Sequence, residues 1–462
     1  MARPPLTGPS APTGPGGRAV PATLLRLATA GSVDDGKSTL VGRLLHDCQA
    51  VLADQLAAVA RASRERGLAA ADLALLTDGL RAEREQGITI DVAYRYFATP
   101  RRRFILADTP GHVQYTRNMV TGASTADLAV VLVDARGRVR EQTRRHLAVA
   151  ALLRVPRLVL AVNKMDLVGY AEPVFAAVAL ECAAYAADLG VTDVLAVPVS
   201  ALHGDNVVHP SASMDWYSGP TLLEHLESVE VDEDPQALPA RFPVQYVLRA
   251  SESGPDAGYR GYAGRLAGGV LRRGDQVAVL PSGRTSTVVG IDRLGRRDVD
   301  HAVTDQSVTL RLADDLDVGR GDLIAPVSAT PRVGREFTAT VCHLDARPLR
   351  PGQRVLLRQQ TAVVRAVVRS LDARLDLAAL ATAPAPDALE ANDLGQITVV
   401  TAEPVVFDAY RDNRRTGAFL LVDPADGATL TAGMVGALRA AARPSPVPGE
   451  SRVPAPGARA GG

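Results

Sequence analysis

Apolar runs alternate with helical patterns over the first half of the chain, from about residue 24 to residue 226. Several of these runs are continuous, which is typical of strands that are buried on both faces of a sheet. Strands are predicted at 25–28, 92–97, 104–107, 128–133, 158–162 and 194–199, and helices at 37–48, 114–124, 141–153 and 173–189. This alternation predicts an α/β domain with a mostly parallel, doubly wound sheet.

The pattern changes after the acidic, proline-containing segment at 229–239. Short β-rich runs follow, and a hairpin is predicted at 276–291 around the turn Pro281-Ser282-Gly283-Arg284. Further strands are predicted at 307–312, 336–344, 354–356, 361–370, 395–401 and 418–422. These runs predict two small β-barrels rather than one sandwich, with a break near 328–335.

The predicted organisation is a disordered leader at 1–22, the α/β domain at 23–235, β-barrels at 240–330 and 331–440, and a disordered tail at 441–462. The leader and the tail are rich in Pro, Gly and Ala, and such segments cannot build a core. Another segment, 52–85, has a helical pattern and is interpreted as an insertion that carries a switch.

The composition narrows the function classes. The chain has 462 residues, of which 47% are hydrophobic, and this is enough for several globular domains. Its 51 basic and 51 acidic residues cancel, so it lacks the charge excess that drives non-specific binding to nucleic acid or membranes. Cys48, Cys182 and Cys342 have no paired spacing, which indicates a reducing compartment. Without a membrane-length apolar run or a signal-peptide pattern, a cytoplasmic location is predicted.

The strongest chemical signal is Gly31-Ser32-Val33-Asp34-Asp35-Gly36-Lys37-Ser38, which matches the P-loop pattern. It follows a predicted strand and opens a predicted helix, where backbone N–H groups wrap a β-phosphate. Lys37 would supply charge to the β- and γ-phosphates, and Ser38 would ligate Mg²⁺. The chain contains only two lysines, Lys37 and Lys164, and both lie in nucleotide-binding motifs. Asp34 is either a ligand of a monovalent ion near the phosphates or a cap of the loop.

Two further segments concern the phosphates. Asp108-Thr109-Pro110-Gly111-His112 follows a predicted strand, so Asp108 can hold Mg²⁺ through water and the Gly111 N–H can sense the γ-phosphate. In Gly87-Ile88-Thr89-Ile90, Thr89 would place its hydroxyl on Mg²⁺. His112 can orient the attacking water, as Gln does in small GTPases, although a surface histidine at a helix start is the alternative.

Two segments concern the base. In Asn163-Lys164-Met165-Asp166, the Asp166 carboxylate can accept both guanine N1–H and N2–H, a donor pair that adenine lacks. Ser200-Ala201-Leu202 can offer a backbone N–H to guanine O6. Because all five segments occur in the required order and mostly at strand ends, they predict a GTP-hydrolysing site.

The predicted GTP-binding residues are Gly31, Ser32, Val33, Asp34, Asp35, Gly36, Lys37, Ser38, Thr39, Asp108, Thr109, Pro110, Gly111, His112, Asn163, Lys164, Met165, Asp166, Ser200, Ala201 and Leu202; the predicted Mg²⁺ ligands are Ser38, Thr89 and Asp108; and the predicted catalytic residues are His112, Lys37 and Thr89. Arg101-Arg102-Arg103 is interpreted as a hairpin turn rather than a phosphate-binding patch.

The order of an α/β GTPase domain and two β-barrels resembles the translational GTPases related to elongation factor Tu. The spelling of the motifs resembles more closely the large, GTPase subunit of bacterial sulfate adenylyltransferase. The resemblance rests on Ser32–Lys37 and Gln86–Ile90, on the segments at 76–85, 91–97, 114–119 and 141–146, and in the barrels on 241–247, 261–264 and 413–417. It covers roughly residues 24 to 440.

This resemblance implies an energy-coupling subunit. In that family a separate small subunit joins sulfate to ATP, giving adenylyl sulfate and pyrophosphate, and GTP hydrolysis on the large subunit drives this uphill reaction. GTP and Mg²⁺ are the implied cofactors, and the small adenylyl-transferring subunit is the implied partner in a heterodimer. No residue of this chain would then perform adenylyl transfer.

The chain departs from the family at Val113, where members often carry Glu, and at Arg136-Gly137-Arg138. Some members carry a fused adenylylsulfate kinase, and the tail at 441–462 contains no second P-loop, so that activity is not expected here. A translation-type GTPase is the runner-up interpretation, a pure regulatory switch is the third, and a subunit of a dedicated sulfation pathway is a further variant.

Overall fold

The computed structural model describes residues 23–65, 67, 71–76, 92–111, 116–137, 139–230, 236–250, 258–377 and 381–437. The predicted leader, the predicted tail, the predicted switch residue Thr89 and His112 lie outside the described residues. The fold class is confirmed: an α/β domain with elements from Thr23 to Ser228 precedes a first barrel, Phe242 to Pro326, and a second barrel, Arg332 to Val435.

The α/β domain contains β1 (Thr23–Ala30), α1 (Lys37–Asp47), α2 (Ala53–Glu65), β2 (Ala93–Ala98), β3 (Arg102–Asp108), α3 (Thr116–Ala123), β4 (Leu128–Asp134), α4 (Glu141–Leu152), β5 (Arg157–Asn163), α5 (Glu172–Asp188), β6 (Val194–Pro198) and α6 (Leu222–Ser228), with 3-10 turns at Leu73–Leu76 and Met165–Val168. The first barrel region contains β7 (Phe242–Arg249), β8 (Arg260–Arg265), β9 (Val270–Arg272), β10 (Gln276–Leu280), β11 (Arg284–Asp292), β12 (His301–Val303), β13 (Ser307–Leu312) and β14 (Leu323–Pro326). The second contains β15 (Arg332–His343), β16 (Arg354–Gln359), β17 (Ala362–Asp376), β18 (Ala381–Pro384), β19 (Leu394–Phe407), β20 (Ala418–Val422) and β21 (Thr429–Val435), after a 3-10 turn at Val327–Ala329.

The six strands of the α/β sheet run in the order β2-β3-β1-β4-β5-β6, and only the β2–β3 pair is antiparallel. All seven residues of β4 are buried, as expected of a central strand covered by helices on both faces. Thr29 of β1 lies opposite Asp108, and Asp134 lies opposite Asn163. The parallel register therefore brings these polar strand ends to one edge of the sheet, where α/β folds bind ligands.

The first barrel is a closed ring of strands in the order β10-β11-β13-β8-β7-β14. The predicted hairpin is confirmed, with β10 and β11 paired from Gln276↔Thr287 to Val279↔Arg284. In the second barrel, β16-β20-β21-β15-β19-β17 closes through the β16–β17 pairing, and β18 adds to the edge of β17. The second barrel begins with β15 inside the predicted break, because β15 starts at Arg332.

Arg102 corrects the interpretation of the arginine run. Only Arg101 lies in the β2–β3 turn, whereas Arg102 begins β3 and is buried. Its guanidinium donates to the carbonyl oxygens of Leu226 (2.9 Å) and Val229 (2.6 Å), so it holds the end of α6 against the sheet. Sequence reasoning missed this because the two carbonyls lie more than a hundred residues away along the chain.

The three parts of the molecule meet at the turn Asn413–Gly417, which we call the junction turn. Arg414 donates to the carbonyls of Ser124 (3.1 Å) and Ala126 (3.3 Å) in the α/β domain. The next residue, Arg415, forms a bidentate ion pair with Asp305 of the first barrel region (2.6 and 2.9 Å). Asn413 holds the turn by accepting from the backbone N–H of Arg415 and Thr416. Neighbouring side chains thus contact different parts of the chain.

A buried ion pair lies next to the junction turn. Arg241, at the start of the first barrel, binds both carboxylate oxygens of Asp408 in the second barrel at 2.9 Å. The two side chains are 5% and 12% exposed. Thr416 also donates to Asp408 (2.5 Å), so the carboxylate accepts three hydrogen bonds. These hydrogen bonds offset the cost of removing the two charges from water, so the ion pair can be buried between the barrels.

Candidate nucleotide-binding site

The P-loop connects the end of β1 at Ala30 with the first turn of α1 at Lys37. Gly36 lies at φ 91°, a left-handed conformation that L side chains rarely adopt. A Cβ atom at this position would collide with the side-chain amide of Asn163. The local chain therefore requires glycine for two reasons, the backbone conformation and the close approach of the base-binding segment.

Asp35 closes the P-loop on itself. Its Oδ2 accepts a hydrogen bond from the Ser32 N–H at 2.6 Å, and the side chain is 3% exposed. Burial raises the pKa of Asp35, and the Ser32 N–H and the Lys37 charge oppose that rise. Asp35, rather than Asp34, therefore caps the loop. Asp34 lies at φ 67° and is exposed, and its carbonyl accepts from the Lys164 ammonium.

Lys37 points into the loop. Its Nζ donates to the carbonyls of Gly31 (2.8 Å) and Ser32 (2.9 Å), and the residue is 7% exposed. Burial lowers the pKa of Lys37, while the negative charges of Asp108 and Asp35 act against that decrease. The Lys37 ammonium therefore lies inside the P-loop, where a phosphate can replace the two carbonyls as its partner.

Asp108 ends β3 beside the P-loop. Thr29 donates to its Oδ1 at 2.7 Å, and Thr109 donates to the Thr29 carbonyl at 2.5 Å. Gly111 lies so close to the loop that a Cβ atom there would be 2.7 Å from the Gly31 carbonyl oxygen and would collide with Lys37 Nζ. A carboxylate, the Ser38 hydroxyl at the start of α1 and a narrow glycine-lined cradle form a donor set that fits Mg²⁺ with a phosphate, because Mg²⁺ prefers oxygen ligands.

Asn163 joins the phosphate and base ends of the site. Its Nδ2 donates to the Asp35 carbonyl at 2.8 Å, and its Oδ1 accepts from the Ala201 N–H at 2.9 Å. The side chain is 2% exposed, so both bonds are shielded from water. One side chain therefore holds the P-loop and the Ser200-Ala201-Leu202 segment at a fixed separation.

The base-binding segment is held by its neighbours. Asp166 accepts from the Ser200 hydroxyl at 2.7 Å, and the Met165 side chain is fully buried. Lys164, at φ 65°, donates to the Asp34 carbonyl and to Asp134 Oδ2 (2.9 Å). The structure therefore brings the P-loop, the end of β3 and both base-binding segments to one edge of the sheet.

Sequence reasoning missed three residues that shape this site, Asp134, Thr29 and Arg43. Asp134 ends β4 and binds both Lys164 and Arg136, whose Nη2 lies 2.7 Å from Asp134 Oδ2. Burial opposes ionisation of Asp134, but hydrogen bonds from Arg136 and Lys164 outweigh it and lower the Asp134 pKa. The sequence did contain a signal for Asp134, because it is a polar residue at the end of an apolar strand. Thr29 is likewise a polar residue close to the end of β1. Arg43, which donates to the carbonyls of Ala201 (3.3 Å) and Leu202 (2.5 Å), gave no signal.

The chain is similar in sequence to known GTP-binding domains and to several enzymes. Residues 22–231 match the model of the elongation factor Tu GTP binding domain, and residues 336–436 match the GTP-eEF1A C-terminal domain-like model. The bifunctional enzyme CysN/CysC of Mycobacterium tuberculosis (strain H37Rv) is 53% identical over 425 residues, 92% of this chain and 69% of that protein. NodQ of Rhizobium sp. (strain N33) is 50% identical over 89% of this chain and 63% of that protein. Sulfate adenylyltransferase subunit 1 of Aeromonas hydrophila is 48% identical over 89% of this chain and 86% of that protein.

Within the described residues, no helix is both long enough and apolar enough to span a membrane.

Proposed function

Because the chain belongs to the family of sulfate adenylyltransferase subunit 1, we propose that it is the GTP-hydrolysing subunit of that enzyme. In this role it couples GTP hydrolysis to the formation of adenylyl sulfate and pyrophosphate from ATP and sulfate. A separate small subunit performs the adenylyl transfer, and the complex works in the cytoplasm. The double hydrogen bond of Asn163 carries the proposal most directly, since it builds one site from a phosphate-binding loop and a guanine-binding loop.

The phosphate end acts through charge and backbone N–H groups. We assign residues 31–39 to the β- and γ-phosphates, with Lys37 exchanging its two loop carbonyls for phosphate oxygens. Without phosphate, the Lys37 ammonium binds two uncharged carbonyls. A phosphate would give it a negatively charged partner, which forms stronger hydrogen bonds with a buried cation. Bound Mg²⁺ would neutralise charge on the phosphates, with Ser38, Asp108 and Thr89 as its protein ligands. His112 would orient the attacking water.

The base end selects guanine. Asp166 keeps its carboxylate at the site through the Ser200 hydroxyl and is 13% exposed. It can accept guanine N1–H and N2–H together, and the segment Ser200-Ala201-Leu202 would offer a backbone N–H to O6. Adenine offers neither donor in this arrangement, so ATP would leave the carboxylate without the two hydrogen bonds that guanine supplies, which lowers its affinity relative to GTP.

The domain limits at 23–235, 240–330 and 331–440 belong to the same proposal. The translation-factor alternative has less support, because relatives that are 47–48% identical over 89% of this chain are named sulfate adenylyltransferase subunit 1.

The first experiment is GTP hydrolysis by this chain co-expressed with its small subunit. We expect hydrolysis to rise when ATP and sulfate are both present, with release of pyrophosphate. Unchanged hydrolysis in a verified complex would contradict the coupling.

A variant sharpens the assignment of the base. Asp166→Asn replaces one of the two carboxylate oxygens with an N–H donor, so we expect GTP affinity to fall by at least about a hundredfold. Xanthosine triphosphate, which has a carbonyl in place of the 2-amino group of guanine, should then bind better than GTP. Asp188→Asn, an exposed change at the end of α5, is the matched control and should leave both affinities unchanged.

A further inference from the structure

A second cavity lies between the three parts of the molecule and away from the P-loop. Its volume is about 1170 Å³, and its walls come from the α/β domain, the first barrel region and the second barrel. Apolar side chains such as Ile105, Val120 and Leu420 form part of the wall. Low-dielectric walls of this kind strengthen the field of any charge that lines them.

The charged residues of this cavity are mostly arginines. Six arginines and two aspartates line it, an excess of four positive charges in a chain whose total charge is zero. The arginines are Arg26, Arg117, Arg265, Arg358, Arg414 and Arg415. The cavity lining therefore carries an excess of positive charge although the chain as a whole is neutral.

The existing contacts leave most of this charge uncompensated. Arg265 and Arg415 share a single carboxylate, that of Asp305. Arg414 donates to uncharged carbonyls of the α/β domain, and the carboxylate of Asp127 is near enough to interact with the charges of both Arg26 and Arg414. Among the residues that the structure describes, Arg117 and Arg358 form no ion pair at all. These arginines have the donors that phosphate and sulfate groups bind.

Two tyrosine rings complete the lining. Tyr94 and Tyr96 project from β2 into the cavity and are 44% and 72% exposed, which is unusual for large rings. Tyrosine and arginine together provide stacking surfaces and charge, the combination with which proteins bind nucleotides. Tyr94 lies opposite Ala107, the residue before Asp108, so β3 contributes both to the wall of the cavity and, through its last residue, to the nucleotide site.

We propose that this cavity binds a small anion that contains both phosphate or sulfate groups and a planar ring, at a site separate from the GTP site. The ligand would contact all three parts of the chain at once, because each contributes an arginine. It would therefore resist their separation as well as bind. The inference depends on the cavity alone and can fail while the proposed function stands.

To test this proposal, the full chain is first saturated with GDP so that its GTP site is filled. ATP, pyrophosphate and adenosine are then titrated separately into this sample, and their binding is measured by calorimetry. We expect ATP to bind, pyrophosphate to bind more weakly, and adenosine to show no measurable binding. The ATP affinity should fall as salt is raised, since the arginines are accessible to ions. ATP should also raise the thermal unfolding midpoint.

Matched variants locate the site. Arg358→Ala and Tyr96→Ala should each weaken ATP binding about tenfold, from lost charge and lost stacking. Arg354→Ala, on the same strand as Arg358, and Tyr246→Ala, an exposed ring on β7, lie outside the cavity and should change it less than about twofold. Unaltered unfolding midpoints without ligand would show that all four variants fold.

Two results would overturn the proposal. One is the absence of ATP binding to the GDP-saturated chain. The other is ATP binding that Lys37→Ala removes and Arg358→Ala leaves intact, because the ATP would then occupy the GTP site.

Discussion

The nucleotide site and the junction turn are both built from hydrogen bonds between distant segments, but they differ in how much the sequence shows of them. Each segment of the nucleotide site follows a strand or opens a helix, and the parallel sheet brings these ends to one edge. The junction turn instead contacts backbone carbonyls and one aspartate in parts of the chain that no local pattern connects to it. A fold class predicts the first kind of contact and not the second.

The comparison implies a separation of roles. The nucleotide site should govern GTP affinity with little effect on how the barrels are held. The buried pair and the junction turn should govern the docking of the barrels with little effect on GTP affinity. Variants in each region test whether this separation is real.

The largest expected effect is at the buried pair. Arg241→Ala leaves Asp408 charged and buried without its main partner, so we expect the free energy of unfolding to fall by about 3–5 kcal/mol. GTP affinity, measured below the unfolding transition, should stay within twofold of the unmodified chain. The control Arg369→Ala removes the exposed pair with Glu336 and should change the stability by less than about 1 kcal/mol. A large loss of GTP affinity in Arg241→Ala would refute the separation.

The next effect is at Gly36. Gly36→Ala adds both a strained left-handed backbone and a collision with Asn163, so GTP affinity should fall by more than about a hundredfold, or about 2.7 kcal/mol. Gly283→Ala, at φ 75° in the β10–β11 turn with no atom within 4 Å of the added Cβ, imposes the backbone strain alone. It should lower the stability by about 1–2 kcal/mol and leave GTP affinity unchanged. Equal GTP affinities in the two variants would show that the contact with Asn163 is unimportant.

A third effect depends on pH. Burial, followed by the charges of Lys37 and Arg145, lowers the pKa of His146 in α4 to about 3. The unfolded chain takes up the proton near its ordinary pKa of about 6.5, so stability is unaffected above that pH and falls as the pH drops toward 3. The loss should reach about 2 kcal/mol at pH 5. Unfolding of His146→Gln at pH 7.5 and pH 5 should lack this difference, and an unchanged pH dependence would disprove the assignment to His146.

The smallest effect is at Arg415. The Arg415–Asp305 pair is 38% and 33% exposed, so its contribution is screened by solvent. We expect Arg415→Ala to lower the free energy of unfolding by less than about 1 kcal/mol, measured by denaturant titration. A loss as large as that of Arg241→Ala would mean that the junction turn, rather than the buried pair, holds the barrels.

The predicted strands of the α/β domain lie within one or two residues of the observed ones because their apolar runs are continuous and end at polar residues. The barrels were predicted as a class, but seven of their strands were missed, because strands that are short or contain glycine, proline or polar residues resemble loops in sequence. These strands are β7, β8, β9, β12, β14, β18 and β21. The roles of Arg43, Arg102 and Arg241 could not be predicted. Each depends on carbonyls or carboxylates brought close only by the tertiary fold. The residue roles at the nucleotide site, including those of Thr89 and His112, stay predictions.

The rarity of lysine has a practical consequence for labelling. Reagents that acylate primary amines find only two side-chain targets in this sequence, Lys37 and Lys164. Both ammonium groups already bind carbonyls of the P-loop, and a phosphate or a guanine base would cover them further. The extent of side-chain acylation, followed by mass spectrometry, therefore reports occupancy of one site without any engineered probe.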